Sequence, residues 1–174
     1  MRHLALSRQH PRRRTYLRLL VLDVDGVLTD GRLHYGARGE TLKVFHVRDG
    51  HGLKQLIERG VAVAVISGRR SPAVQRRCRE LGIRHVFQGI DDKLDCLARL
   101  TKRLRITLAE TAFIGDDTPD AAALRAVGLG FAVADAHLDA QEAAGYITRS
   151  GGGQGAVREV CDWLLERGLR LGAK

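Results

Sequence analysis

Aromatic residues are scarce in this chain of 174 residues, at 5% of the total with a single tryptophan. A surface that stacks successive bases is therefore not expected, and nucleic acid is not a predicted partner. Cysteine is equally thin: Cys78, Cys96 and Cys161 are odd in number, widely spaced and form no CxxC. This excludes a disulfide framework and a zinc-ligand pattern, and it suits a reducing compartment. No apolar run approaches the ~18 residues needed to span a bilayer, and the N-terminal stretch lacks the apolar segment of a secretory signal. The expectation is a cytoplasmic enzyme without a membrane partner. No internal repeat or second domain is found, and 44% hydrophobic with 28% charged residues is ordinary globular composition.

Negative charge is the minority sign. The formal net charge is +9, and residues 1–16 hold five arginines (Arg2, Arg8, Arg12, Arg13, Arg14) and no acid. Such an arm can hold nucleic acid or an acidic membrane. A solvated terminus is the commoner outcome, so residues 1–16 are read as a disordered arm and 17–174 as one domain. The four positive charges in excess elsewhere suit a site that attracts an anion.

Short apolar runs alternate with helical patterns along the rest. Residues 19–22 and 61–66 read as buried strands, followed by shorter ones at 86–87, 111–114 and 131–133. Residues 32–47 read as a hairpin turning at 36–39, with Leu33, Tyr35, Leu42 and Val44 in alternation. Helices are expected after Gly50 (Leu53, Leu56, Ile57, stopped by Gly60) and from the Ser71 N-cap with Pro72 at the first position, stopped by Gly82. Others are expected from about Asp92, from Asp120 to Val127, and after a capping turn at 151–155, with Val157, Val160, Cys161, Leu164 and Leu165 as the buried stripe of the last. This alternation predicts a three-layer α/β/α, Rossmann-like parallel sheet, with a hairpin after the first strand and no large cap domain. Ligands bind such sheets beyond the carboxyl ends of the strands.

The acids fall at those ends. Asp23 and Asp25, two apart in an extended segment, point to one side. Asp23 can attack phosphorus to form an acyl phosphate, while Asp25 protonates the leaving oxygen and later takes a proton from water. Alone, DxDG also suits a turn with an Asx cap. Ser67-Gly68 can hold a phosphoryl oxygen at a strand-to-helix junction, or be a plain serine turn. Lys93 can neutralise the nucleophile and the transferring group, or be a surface charge. Asp116, Asp117 and Asp120 crowd one strand end, where carboxylates raise one another's pKa unless a cation sits among them. Hard oxygen donors beside phosphate describe Mg²⁺. Its expected ligands are Asp23, the Asp25 carbonyl and Asp116, with Asp117 and Asp120 supporting; Asp120 can instead cap the next helix.

In this order, DxDGVLTD (residues 23–30), Ser67, Lys93 and GDDxxD (115–120) resemble the haloacid dehalogenase superfamily, from about Leu19 through Leu165. Asp25 favours its phosphatases over its dehalogenases. The segments DVDGVLTDGRLHY, FHVRDGHGLK, VISGRRSP and GGGQGAVREVCD are similar to its capless phosphatases acting on 3-deoxy-D-manno-octulosonate 8-phosphate (KDO 8-phosphate). The resemblance implies hydrolysis of that small anionic sugar-acid phosphate, in lipopolysaccharide precursor biosynthesis. It also implies a homotetramer in which the hairpin mediates assembly and a neighbouring subunit closes each site. Substrate-gripping roles are implied for Asp25, His46, Val47, Arg48, Asp49, Gly50, Lys54, Gly68, Arg69, Arg77 and Lys93. On their own, His46 reads as a structural histidine, Arg48 and Lys54 as surface charges, and Arg77 as half of an exposed Arg76-Arg77 pair. His51 stands where the family usually has an apolar residue, and residues 168–174 form a short end beside members whose tail reaches the adjacent site. The rivals are a phosphatase for another sugar acid or nonulosonate and a phospho-accepting receiver-type module. In the latter the acidic pair lies early, and no second acid like Asp25 is needed.

Overall fold

Strands buried on both faces have no polar side to alternate with, so the continuous apolar runs settle in the middle of a parallel sheet. The computed structural model describes residues 16–167 and 170–172. The chain runs β1 (Tyr16–Leu17), β2 (Leu19–Leu22), β3 (His34–Gly36), β4 (Gly39–Leu42), α1 (Val47–Glu58), β5 (Ala62–Ser67), α2 (Pro72–Leu81) and β6 (His85–Gln88). It continues through α3 (Lys93–Leu104), β7 (Thr111–Gly115), α4 (Ala121–Ala126), β8 (Leu129–Ala132), α5 (Leu138–Ala143), β9 (Tyr146–Ile147), α6 (Ala156–Glu166) and β10 (Arg170–Leu171).

Six strands form the main sheet in the order β6-β5-β2-β7-β8-β9, every neighbour parallel. Helix α1 packs on α6 and α2, while α4 packs on α3 and α5, which gives two helical groups around the sheet. This is the expected α/β architecture. In β2, all of Leu19, Leu20, Val21 and Leu22 are fully buried, each leucine contributing about 2 kcal/mol by burial. Leu22 is in register with Val65 of β5 on one side and Ile114 of β7 on the other. The carboxyl ends of β2, β5 and β7 are thereby placed side by side. None of the described helices is long and apolar enough to cross a membrane.

The structure departs from the sequence reading in several places. Helix α1 starts at Val47 rather than after Gly50: His46 Nδ1 accepts the Arg48 N–H at 3.2 Å and caps it. Gly52 lies inside this helix because a Cβ there would sit 2.9 Å from Cys161 Cβ, so the glycine serves the close approach of α6. Ser71 does hold the N-cap position, but its hydroxyl makes no capping bond and donates to Glu40 Oε1 at 2.9 Å. Leu165 is only partly buried; the other four residues of the α6 stripe are buried as expected. Strand β9 and helix α5 were not anticipated. Tyr146 is held by stacking on Phe131 at 5.3 Å and by Trp163 at 4.8 Å, contacts no local pattern reveals. Tyr16, assigned to the arm, pairs with Arg170 in a separate two-stranded ladder; residues 1–15, and 168, 169, 173 and 174 of the end, lie outside the described residues.

Candidate active site

Asp23 follows β2 directly and remains tied to β7, its N–H donating to the Ile114 carbonyl at 3.0 Å. Ser67 closes β5, Asp116 and Asp117 follow β7, and Lys93 opens α3 behind the Asp92 N-cap. Asp23, Asp25, Ser67, Gly68, Arg69, Lys93, Asp116 and Asp117 line one cleft of about 300 Å³. Lys93 Nζ lies 3.0 Å from Asp23 Oδ2 and 2.7 Å from Asp120 Oδ1. Asp120 is fully buried, and its Oδ2 accepts the Asp116 N–H at 3.0 Å. It therefore closes the turn that carries Asp116 and Asp117 and also anchors Lys93; it stands at the N-cap of α4, but its side chain makes no capping bond to that helix.

The loop after β2 needs one glycine within it and one packed behind it. Gly26 has φ +86°, and a Cβ there would come within 2.0 Å of Asp116 Oδ2. Only a residue without a side chain lets the loop after β2 pass this close to Asp116 at the end of β7. Behind the loop, a Cβ on Gly152 would lie 1.8 Å from the Gly26 carbonyl oxygen, and the Gly153 N–H donates to the Val27 carbonyl at 3.0 Å. The glycine run at 151–155 thus does more than cap α6: it backs the nucleophile loop.

Oxygens of Asp23, Asp116 and Asp120 lie within 4.8 Å of one another. Three carboxylates face one ammonium group in a nearly dry place. Burial foremost, then repulsion from Asp120, pushes Asp23 up to about 6, with Lys93 pulling it back. Burial, then Asp23 and Asp120, pushes Asp116 up to about 8. Burial works to lower Lys93, but attraction from Asp23 and Asp120 leaves it raised. Asp23 Oδ1 and Asp116 Oδ1 are buried without a hydrogen-bond partner among the described residues. Unpaired carboxylate oxygens this close together are the donor set of a hard dication, which would supply the missing positive charge.

A test follows from the sign of these shifts. Raised carboxyl pKa values mean the native chain keeps protons that the unfolded chain releases, so the metal-free fold loses stability as pH climbs from the ordinary 3.8 through about 6 and about 8. Magnesium must displace those protons at low pH and relieves bare repulsion at high pH. At ~100 times its Kd, magnesium is expected to raise Tm by roughly 5–10 °C at pH 8. Less than half that shift is expected at pH 5. Thermal melts with and without the ion check this; an equal shift at both pH values contradicts it.

The remaining substrate-gripping candidates do not line this cleft. His46 caps α1, and Val47 is 80% exposed. Asp49 is buried, its pKa raised by that burial, and its Oδ1 accepts the Arg158 N–H at 2.8 Å at the start of α6. Gly50 lies beneath Arg77, and Lys54 is exposed. Arg48 borders a separate cavity of about 470 Å³ with Arg149 and Arg158.

Two residues beside the site were missed, Lys43 and Glu40. Lys43 pairs with Asp25 Oδ1 and lies 3.2 Å from Glu40, its side chain 2% exposed. Alternation in the hairpin put Leu42 and Val44 on one face without saying which face is covered. In the structure both are more than half exposed, and the lysine between them is buried. A lysine flanked by two apolar residues in a strand was the available signal, readable only once the covered face is known.

Residues 37–128 match a family model described as haloacid dehalogenase-like hydrolase. The chain is 48% identical over 149 residues to the 3-deoxy-D-manno-octulosonate 8-phosphate phosphatase of Escherichia coli (strain K12), covering 86% of this chain and 79% of the relative. Among solved structures, the 3-deoxy-D-manno-octulosonate 8-phosphate phosphatase of Moraxella catarrhalis, in complex with magnesium ion, phosphate ion and KDO, superposes with a TM-score of 0.86 at 45% identity, covering 88% of each chain. The cobalt-bound deoxy-D-mannose-octulosonate 8-phosphate phosphatase of Haemophilus influenzae gives 0.86 at 45%, covering 88% of this chain and 90% of that one.

Proposed function

The chain belongs to the haloacid dehalogenase-like hydrolases, and from that premise we propose that it is a magnesium-dependent phosphatase releasing KDO and inorganic phosphate from KDO 8-phosphate. The observation that carries the reading is the meeting of Asp23, Asp116 and Lys93 across adjacent strands, with one oxygen of each aspartate unpaired. The Escherichia coli and Moraxella catarrhalis relatives support the choice of substrate and metal.

In this mechanism an oxygen of Asp23 attacks phosphorus. The bond from phosphorus to the sugar oxygen breaks, and the departing oxygen takes its proton from Asp25. Water then attacks the aspartyl phosphate and gives a proton to Asp25; the acyl oxygen–phosphorus bond breaks and its electron pair returns to Asp23. Lys93 balances charge on Asp23, while the Ser67 hydroxyl and the exposed backbone at Gly68 hold phosphoryl oxygens. The Asp23 and Asp116 carboxylates and the Asp25 carbonyl would hold magnesium, with Asp117 and Asp120 in support. Bound magnesium supplies positive charge next to the phosphate. Arg69, 41% exposed at the cleft mouth, suits the sugar carboxylate.

Leu33, Tyr35, Leu42, Val44 and Val47 leave an apolar patch on the hairpin and the start of α1. That patch supports assembly with further copies as a homotetramer. Assembly would bring His46, Val47, Arg48, Lys54 and Arg77 to act at or around a neighbour's cleft, whereas Asp49 and Gly50 are buried and would shape that segment from within. A cytoplasmic place in lipopolysaccharide precursor synthesis goes with this substrate.

The test is kcat/KM across a panel of phosphorylated sugars and sugar acids. KDO 8-phosphate is expected to exceed neutral hexose phosphates by at least ~100-fold, as a charged, bidentate contact to its carboxylate allows. Comparable values across the panel remove the specific substrate and leave a general phosphatase.

A further inference from the structure

Asp25 needs its carboxylate held in one orientation, because a proton donor must point at the leaving oxygen when the phosphorus–oxygen bond breaks. Its side chain lies in an unusual setting. Oδ1 is bound by Lys43 Nζ from the strand end of the hairpin. Oδ2 is buried and without a hydrogen-bond partner among the described residues, with Arg69 Nε at 3.7 Å. The lysine is held in turn by Glu40, which Arg69 Nη2 contacts at 3.3 Å and the Ser71 hydroxyl at 2.9 Å. Tyr35 Oη also accepts from Arg69 at 2.9 Å. The hairpin is thus joined to the cleft by two cations and two carboxyl groups.

We propose that Lys43 is a positioning residue for Asp25: it occupies Oδ1 so that Oδ2 alone faces the leaving group, and through it the hairpin sets the competence of the acid. This rests on the phosphatase reading above. A buried ammonium with side-chain exposure of 2% carries a desolvation cost that surface lysines avoid. An apolar residue of equal length could fill the same space, and simple anchoring of the hairpin is already supplied by Glu40 to Ser71 and to Arg69. What only the ammonium adds is a fixed partner for one oxygen of Asp25.

The two roles differ in kinetics. Transfer from an aryl phosphate needs no acid, since the phenolate leaves unaided. Transfer from an alkyl phosphate needs Asp25 to give a proton, and breakdown of the acyl phosphate needs Asp25 to take one from water. K43M is therefore expected to lose ~100-fold in kcat on KDO 8-phosphate. With p-nitrophenyl phosphate, its first turnover should stay within about threefold of wild type while later turnovers slow, giving a burst of one nitrophenolate per site. K43R should recover most of the loss. E40Q takes the charge out of the hairpin tie to Arg69 and Lys43, leaving an acceptor for the Ser71 hydroxyl, and keeps the Lys43–Asp25 contact, so it should show no burst. The double variant K43M/E40Q, neutral at both ends, carries the same prediction if K43M alone does not fold. Equal slowing of the first and later aryl turnovers in K43M, or a burst in E40Q, overturns the positioning role. Failure of the phosphatase reading is distinguishable, because the wild-type protein would then release no phosphate from either substrate with magnesium.

Discussion

Asp23→Asn is expected to cost at least ~10⁴-fold in turnover while raising Tm in the absence of metal. The loss follows from chemistry: an amide oxygen in place of the carboxylate forms no acyl phosphate, so the two-step route closes. The gain follows from electrostatics. Asp23 is 7% exposed and is pushed up to about 6, first by burial and then by Asp120, so its charge is a burden on the metal-free fold at neutral pH. An asparagine keeps the shape and an acceptor for Lys93 and removes the burden. Phosphate release, melting curves in EDTA and intact mass, which excludes deamidation back to aspartate, check the paired outcome. A variant with more than a few per cent of wild-type turnover at the correct mass rules out Asp23 as nucleophile.

Removal of magnesium is the second large effect. Dialysis against EDTA should lower kcat/KM by ~10³-fold or more, since charge stabilisation by a bound dication is worth several kcal/mol in the transition state. Excess magnesium should restore it fully. Asp116→Asn should act mainly on the metal: one unpaired donor oxygen is lost, and the magnesium concentration for half-maximal rate should rise by ~100-fold, the upper end of what an outer partner alone contributes. Rate measured against magnesium concentration separates this from a loss of kcat. Full activity after EDTA treatment, with the metal shown absent by elemental analysis, contradicts the assignment of the acidic cluster.

Much of this site is legible in the amino-acid sequence. Strands β2, β5 and β7 announced themselves because a strand buried on both faces is a continuous apolar run, and each ended in a residue with chemistry. Asp23, Ser67 and Asp116 could be placed at strand ends for that reason. Helices α2 and α3 carried their own punctuation: Ser71-Pro72 and Gly82 for one, Asp92 for the other, whose side chain accepts the Asp95 N–H at 2.9 Å. The start of α1 was hidden because Gly50 looks like a break, whereas in the fold it makes room beneath Arg77. Strand β9 was hidden because two residues carry no period, and its stability comes from an aromatic cluster gathered from β8, β9 and α6.

The sequence by itself determined which residue types stand at which strand ends, the parallel sheet and the chemistry those acids are able to perform, since all of these depend on local patterns and the order of elements. Only the tertiary structure decided that Asp23 and Asp116 come from neighbouring strands, that the glycine run after β9 backs the nucleophile loop, and that Lys43 turns inward onto Asp25. Those are contacts between segments distant along the chain. They depend on strand order and on which face of the hairpin is covered, and no period in the sequence encodes either.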